Sequence, residues 1–353
     1  MPAPTAVDLA AVRDFLIETV LADSTNLAAR LQREFLVSRP TAHNYLRRFV
    51  EEGLIVRTGL GRYELGRARY RFPHSVAGLA EDTVWMHEIR PRIDDLPPNV
   101  VELWHYGCTE MINNVIDHSE SPQVVVELER SAADVRMVIL DQGIGIFRKI
   151  ARGLGLEDER HAVLELSKGK VTTDPAHHTG EGIFFSSRAF DSFRILSGGV
   201  YFEHETRDGS DWILGDEQPQ NIREGTTVFL ELKNDATKRL QDIFDAYATD
   251  TQDYRFDRTV VPVKLLQYGD DRLVSRSQAK RLLTRFERFR TVILDFEGVE
   301  SVGQAFADEV FRVFPAEHPT VELLAVNTNE QVARMMSRAV SARQPQGDLF
   351  PKG

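Results

Sequence analysis

The stretch "TEMINNVIDHS", residues 109–119, sets Glu110, Asn113, Asn114, Asp117 and His118 into a helix otherwise suited to burial, among Val100, Val101, Leu103, Met111, Ile112 and Val115. Helical geometry brings positions 110, 114, 117 and 118 to one side of the cylinder, while Asn113 lies about 100° from Asn114 and reads as structural. A helix that only packs turns its polar residues to solvent. One that carries them on an inward flank must border an internal space, which requires a domain large enough to enclose one. A chain of 353 residues, 42% of them hydrophobic, supports two or three domains with cores of their own.

The 27% of charged and 9% of aromatic residues argue against wholesale disorder. The net charge of −11 argues against a general nucleic-acid coat, but the first 72 residues differ, with eleven arginines and no lysine against eight acidic residues. The single cysteine, Cys108, rules out a disulfide framework, fits a reducing compartment, and reads as a buried, inert thiol. No apolar stretch approaches the ~20 residues that span a bilayer, and no basic-then-apolar leader opens the chain. A cytoplasmic protein with no membrane partner is expected.

Residues 1–72 read as helix, helix, turn, helix and hairpin. Leu9, Val12, Leu16 and Val20 have helical spacing, and "NLAARLQREF" follows a cap-like "DST". In "VSRPTAHNYLRRFVEEG", Ser38 is the expected N-cap, Pro40 fits the first turn, and Gly53 ends the helix. "LIVRTGLGRYELG" supplies two short strands. This order resembles a bacterial winged helix-turn-helix, in which the third helix enters the DNA major groove. The resemblance implies DNA contact through Arg39, Thr41, His43, Asn44 and Arg47, with Arg57 and Arg62 on the hairpin meeting phosphates. Use of the same fold for protein contact or dimerisation is the alternative. Residues 73–97, with "RPRIDDLPP", read as a connecting helix and linker.

Two strands, "QVVVELE" and "DVRMVILD", follow the opening helix, and the second runs into "DQGIGIF", residues 141–147. Asp141 at a buried strand end, followed by Gly143 and Gly145, presents an acceptor to a flat ligand with backbone close by. Some thirty residues from Arg148 show no strong period and read as a lid. "HTGEGIFFSSRAFD" then places Gly180 and Gly182 before a helix whose free N–H groups suit phosphate. "GTTVFLEL" closes the segment with Thr226 at a strand start.

In this order, ExxxN on a helix, DxGxG after a strand, a lid, GxG opening a helix and GTTV on a closing strand resemble the GHKL (histidine-kinase-like) ATP-binding fold, residues 98–235, most of all its anti-sigma-factor serine kinase branch. The resemblance implies ATP and Mg²⁺ as cofactors. Asn114 is then the Mg²⁺ ligand and Glu110 the group that activates water or a hydroxyl. Asp141 accepts from the adenine amino group with support from Thr226. Gly143, Gly145, Gly180 and Gly182 let backbone and lid close over the ligand, and Lys168 and Lys170 in the lid neutralise its phosphate.

Residues 258–341 alternate strand and helix: "TVVPVKLL", "SRSQAKRLLTRFERF", "TVILDF", "SVGQAFADEVFRVF", "VELLAV", "NEQVARMMSRAV". They resemble the STAS fold of anti-sigma-factor antagonists, but Gly303, Gln304 and Ala305 stand where its phosphorylated serine is expected, with Ser301 the nearest hydroxyl. Asp295 and Glu300 read as strand-end and turn residues, and residues 342–353 as a loose tail. The expected fold class is thus a multidomain α/β chain: a winged helix, a central α/β sandwich with a mixed sheet and helices on one face, and a STAS-like domain. The expected function is an ATP-binding, ATP-hydrolysing transcription regulator that couples nucleotide state to DNA binding. It would dimerise and have a protein partner at its STAS-like domain. The alternative is a protein serine/threonine kinase acting on a separate partner.

Overall fold

The computed structural model describes residues 8–171, 180–205, 211–216, 224–248, 256–267 and 272–341. Residues 342–353, expected to be a loose tail, and residues 172–179 of the expected lid lie outside them.

The N-terminal unit comprises α1 (Leu9–Ala22), α2 (Leu27–Phe35), α3 (Arg39–Glu51), β1 (Ile55–Gly59) and β2 (Arg62–Leu65). Ser38 caps α3 by accepting from the Thr41 N–H, Pro40 lies in the first turn, and Gly53 turns the chain with φ +75°. Val12, Leu16, Leu27, Leu31, Ala42, Leu46, Phe49 and Ile55 form a separate small core, and β1 and β2 pair antiparallel.

The next strand, β3 (Ala68–Ser75), was expected to fall within the first domain and its linker. It instead pairs antiparallel with β4 (Gln123–Arg130) in the central sheet. Between them run α4 (Glu81–Val84), short π- and 3₁₀-helical turns over residues 85–92, and the long α5 (Pro98–Asn114). The central unit continues through β5 (Asp134–Asp141), α6 (Ile146–Leu154), α7 (Glu159–Lys168), α8 (Gly182–Ala189) and β6 (Ser192–Ser197). It closes with β7 (Val200–Glu205), β8 (Asp211–Asp216), β9 (Thr226–Lys233) and α9 (Leu240–Asp245). The seven strands lie in the order β3-β4-β5-β9-β6-β7-β8.

Every pairing in this sheet is antiparallel, which corrects the expected mixed sheet. One face carries Val124, Val126, Val135, Met137, Ile139, Val228, Leu230, Phe193 and Ile195 into the core beneath the helices. On the other face, directly opposed residues form ion pairs: Arg69–Glu129 (2.8 Å), Arg71–Glu127 (2.9 Å), Arg136–Glu231 (3.2 Å) and Arg194–Glu203 (3.4 Å). Cross-strand pairing of opposite charges fixes register on a face that water reaches.

The C-terminal unit has β10 (Arg258–Pro262), α10 (Arg276–Leu283), β11 (Thr291–Asp295), α11 (Gln304–Asp308), α12 (Phe314–Glu317), β12 (Glu322–Val326) and α13 (Glu330–Ser341). Its strands pair in parallel in the order β10-β11-β12, and Ser275 and Gln278 make a reciprocal capping box at α10. Its core is continuous with the central one, joined by Phe256, whose ring packs on Phe184, Phe185 and Phe289. Among the described residues, no helix is long and apolar enough to cross a membrane.

Two glycines let α5 lie close to α8. A Cβ on Gly107 would collide with the Phe190 ring, and one on Gly182 would collide with the Glu110 carboxylate. Phe190 is fully buried and meets Trp104 edge-on at 4.8 Å, so it has little room to yield. Gly107→Ala is therefore expected to destabilise the protein by about 1–3 kcal/mol through overpacking, although alanine is the better helix former. A denaturant titration reads this as a lower midpoint at unchanged slope.

Candidate functional site

A cavity of about 300 Å³ opens where α5, the end of β5, α6, the end of α7, the start of α8 and the start of β9 converge. At its end α5 widens into a π-helical turn, Val115–Ser119, a local irregularity frequent at functional sites. The two together bring Glu110, Asn113, Asn114, Asp117 and His118 to the cavity wall. Asn113 thus lines the cavity as well: three residues past Glu110 it lies about 60° from it on the flank opposite Asn114, so the angle between the two asparagines does not take it off the wall. Met111, Val115, Ile139, Ile146, Ile150 and Val228 supply an apolar lining.

Asp141 is 4% exposed, and its Oδ1 accepts the Gly143 N–H at 2.7 Å. Burial raises its pKa above the ordinary carboxylate value, only partly opposed by backbone N–H groups of Gly143 and Thr226. Thr226 Oγ1 accepts from the Ile146 N–H at 3.0 Å and so ties the start of β9 to the start of α6. Among the expected pocket glycines, Gly180 and Gly182 line the cavity, and Gly143 and Gly145 do not. Gly143 makes room for the Ser119 carbonyl and Gly145 for the Ser197 hydroxyl, so these two serve chain-on-chain approach rather than approach to a ligand.

Among the described residues, the buried Nδ2 of Asn114 has no hydrogen-bond partner. A buried amide left unpaired costs free energy, and a ligand that pairs it recovers that cost. Glu110, one turn earlier, packs on the N-terminal end of α8 at Gly182. The hydroxyl of Tyr106 is pushed to higher pKa by burial and then by Glu110 and Glu181, which places both carboxylates in its surroundings. Cys108 is buried, and burial raises its thiol pKa, consistent with an inert side chain.

Lys168 and Lys170 are not on the cavity wall, contrary to expectation. Lys168 is 1% exposed, pairs with Glu165 at 2.5 Å, and donates to the Thr284 carbonyl at 2.9 Å and the Arg281 carbonyl at 3.3 Å. Lys170 donates to the Arg288 carbonyl at 3.2 Å and lies over the Phe256 and Phe289 rings. Both join the central unit to the C-terminal one. The reason is that residues 148–168 are not a loose lid: they form α6 and α7, and α7 packs against β10 and the turn after it. Burial lowers the pKa of Lys168 despite the adjoining Glu165.

Two charged wall residues escape the sequence reading, Lys149 and Glu181. Ile146, Phe147, Ile150, Ala151 and Leu154 have the i, i+4 spacing of a helix, and that pattern places Lys149 on α6.

On the N-terminal unit, Arg39, His43, Asn44 and Arg47 are exposed along α3 with Thr41 half-buried, and Arg57 and Arg62 are exposed on the hairpin. Arg30 and Arg48 are paired to Asp23 and Glu52. Arg39, Arg47, Arg57 and Arg62 take part in no ion pair among the described residues.

Residues 278–333 match the family described as a STAS-like domain of unknown function (DUF4325), so the C-terminal unit holds a STAS-like domain. Among curated proteins, none matches the chain. Within this domain Gly303 is the N-cap of α11, and Ser301 lies half-buried two residues before it.

Asp141→Asn keeps an oxygen for the Gly143 N–H and removes a buried charge. Because the folded-state pKa of Asp141 is raised, ionising it costs stability as pH rises through that value. The variant is therefore expected to melt above the wild type at neutral pH, with the gap closing as the pH falls below the ordinary carboxylate value. Thermal unfolding followed across pH measures this.

Proposed function

We propose that the chain is a GHKL-type ATP-binding transcription regulator, with nucleotide held in the central cavity and DNA met by α3 and the β1–β2 hairpin. The observation that carries this reading is one cavity that sets a buried acceptor, Asp141, and a buried amide unpaired among the described residues, Asn114, beside a run of apolar wall residues. A flat base with an exocyclic amine suits the first, and a polar group further along the ligand suits the second.

The wall also bears on the form of the ligand. Glu110, Asp117, Asp141 and Glu181 make it acidic, so a bare polyphosphate is disfavoured. Among the described residues no group of three His, Cys, Asp or Glu suits a metal on its own. Mg²⁺ needs few protein ligands when phosphate oxygens and water complete its shell, and Asn114 Oδ1 is the residue that would hold it. The chemistry such an ion supplies is neutralisation of phosphate charge. Glu110, against the start of α8, is the residue for orienting a water or a hydroxyl near the terminal phosphate.

For DNA, support comes from the exposed face of α3 and from four arginines that have no acidic partner among the described residues. The route from cavity to C-terminal domain is short. Leu166 and Val171 line the cavity, while Lys168 and Lys170 between them hold residues 281–288. A STAS-like domain anchored there is a reporter of cavity occupancy.

Titration calorimetry with Mg²⁺ and ATP tests the nucleotide reading. Binding is expected in the wild type, weakened roughly 10- to 100-fold by Asp141→Asn, which loses a charged acceptor. No heat and no rise in melting temperature with nucleotide would sink it. Incubation with γ-labelled ATP then separates free phosphate, which favours a hydrolysing switch, from labelled protein, which favours the kinase alternative.

For the DNA reading, replacing both Arg39 and Arg47 with Ala is expected to flatten the dependence of log affinity on log salt by about 0.9 for each phosphate that is no longer neutralised. DNA affinity that ignores these substitutions, or that is the same with ATP, ADP and no nucleotide, would refute the coupled regulator.

A further inference from the structure

We infer that Lys149 is the specificity residue by which the cavity selects a phosphate-bearing ligand over the bare nucleoside; this deepens the nucleotide reading and rests on it. Lys149 is the only lysine or arginine among the described residues of the cavity wall, where Glu110, Asp117, Asp141 and Glu181 are the acids. An anion entering such a space meets repulsion on most sides, so the single fixed cation has a large influence on where its charge settles.

The ammonium is held rather than loose. Its side chain is 23% exposed, and Nζ donates to the His118 carbonyl at 2.7 Å. That carbonyl belongs to the π-helical turn four residues past Asn114, so the cation is tied to the same wall that carries the unpaired amide. A lysine ammonium has three N–H donors, and the His118 carbonyl takes one. The other neighbour, Glu120, stands 3.8 Å away on a side chain 67% exposed, where an ion pair is screened and weak. Donor capacity is therefore left at the cavity wall. The backbone contact removes much of the rotamer entropy that a free lysine loses when it meets an anion.

Closing the end of α5 is a structural duty that the same contact performs, and the charge must be separated from it. Lys149→Gln keeps an N–H for the His118 carbonyl and removes the charge. Lys149→Arg keeps the charge and a donor. The full chain and both variants are titrated with ADP, with Mg²⁺ present, and with adenosine.

Lys149→Gln is expected to bind ADP roughly 10- to 100-fold more weakly, as for loss of a charged hydrogen bond. Its adenosine affinity should stay within about two-fold, and Lys149→Arg should recover most of the ADP affinity. Equal weakening of ADP and adenosine would assign Lys149 to holding the helix end and overturn the inference. An unchanged ADP affinity would overturn it too. If the wild type binds neither compound, the nucleotide reading itself fails, an outcome distinct from both. Should Lys149→Gln not fold, the ratio of ADP to adenosine affinity in Lys149→Met supplies the same comparison.

Discussion

The contact between α5 and α8 organises the central unit. Phe190, just past the end of α8, occupies the space a side chain at Gly107 would need, and Glu110, one turn on, occupies the space a side chain at Gly182 would need. The two helices are thus locked at both ends of their contact by complementary absences. This sets Glu110 at the start of α8, Asn114 one turn farther, and the π-helical turn beyond them. The polar residues of α5 become a wall because α8 stands close enough to bound the space but leaves it open toward β5 and β9.

The second constraint lies at the junction with the STAS-like domain. Glu165 sits between Lys168 at 2.5 Å and Arg285 at 3.7 Å, all three largely buried, and Arg285 also donates to the Lys170 carbonyl. Among the described residues, one Glu165 oxygen and two Arg285 nitrogens lack hydrogen-bond partners. Buried charges so incompletely satisfied contribute little net stability, because desolvation offsets much of their attraction. Adhesion between the units rests on the aromatic cluster around Phe256 and on shared apolar burial. The charged cluster fixes which surfaces meet.

Much of the architecture was legible from period and punctuation. Ser38, Pro40 and Gly53 bound α3 as their chemistry dictates, and the alternation in β4, β5 and β9 marks strands with one inward face. Glu110, Asn114, Asp141, Gly180, Gly182 and Thr226 line one cavity, a grouping that only the resemblance carried by their motifs suggested, since no local pattern brings them together. Strand direction was not legible, since β9 reaches its place between β5 and β6 from a distance that local patterns do not encode. The amphipathic periods of α6 and α7 were masked by the many charges and glycines around them. Lys168 and Lys170 misled for a related reason: a lysine beside glycine in an expected lid reads as free to reach a phosphate, and only the approach of residues 281–288 shows that Lys168 is buried and Lys170 half-buried.

The place of β10 matters for dissection of the chain. The family match begins at residue 278, yet the three-stranded parallel sheet starts with β10 at Arg258–Pro262, and its helix α10 is capped from Ser275. A fragment cut at the family boundary would lose one of three strands, expose the backbone edge of β11, and forfeit the cap. The portion left behind would carry Lys168 stripped of its Thr284 and Arg281 acceptors beside an uncovered Phe256. Neither piece would be a faithful sample of the intact protein, so the chain is best divided at residues 66–67, between β2 and β3, where the N-terminal unit keeps a core of its own.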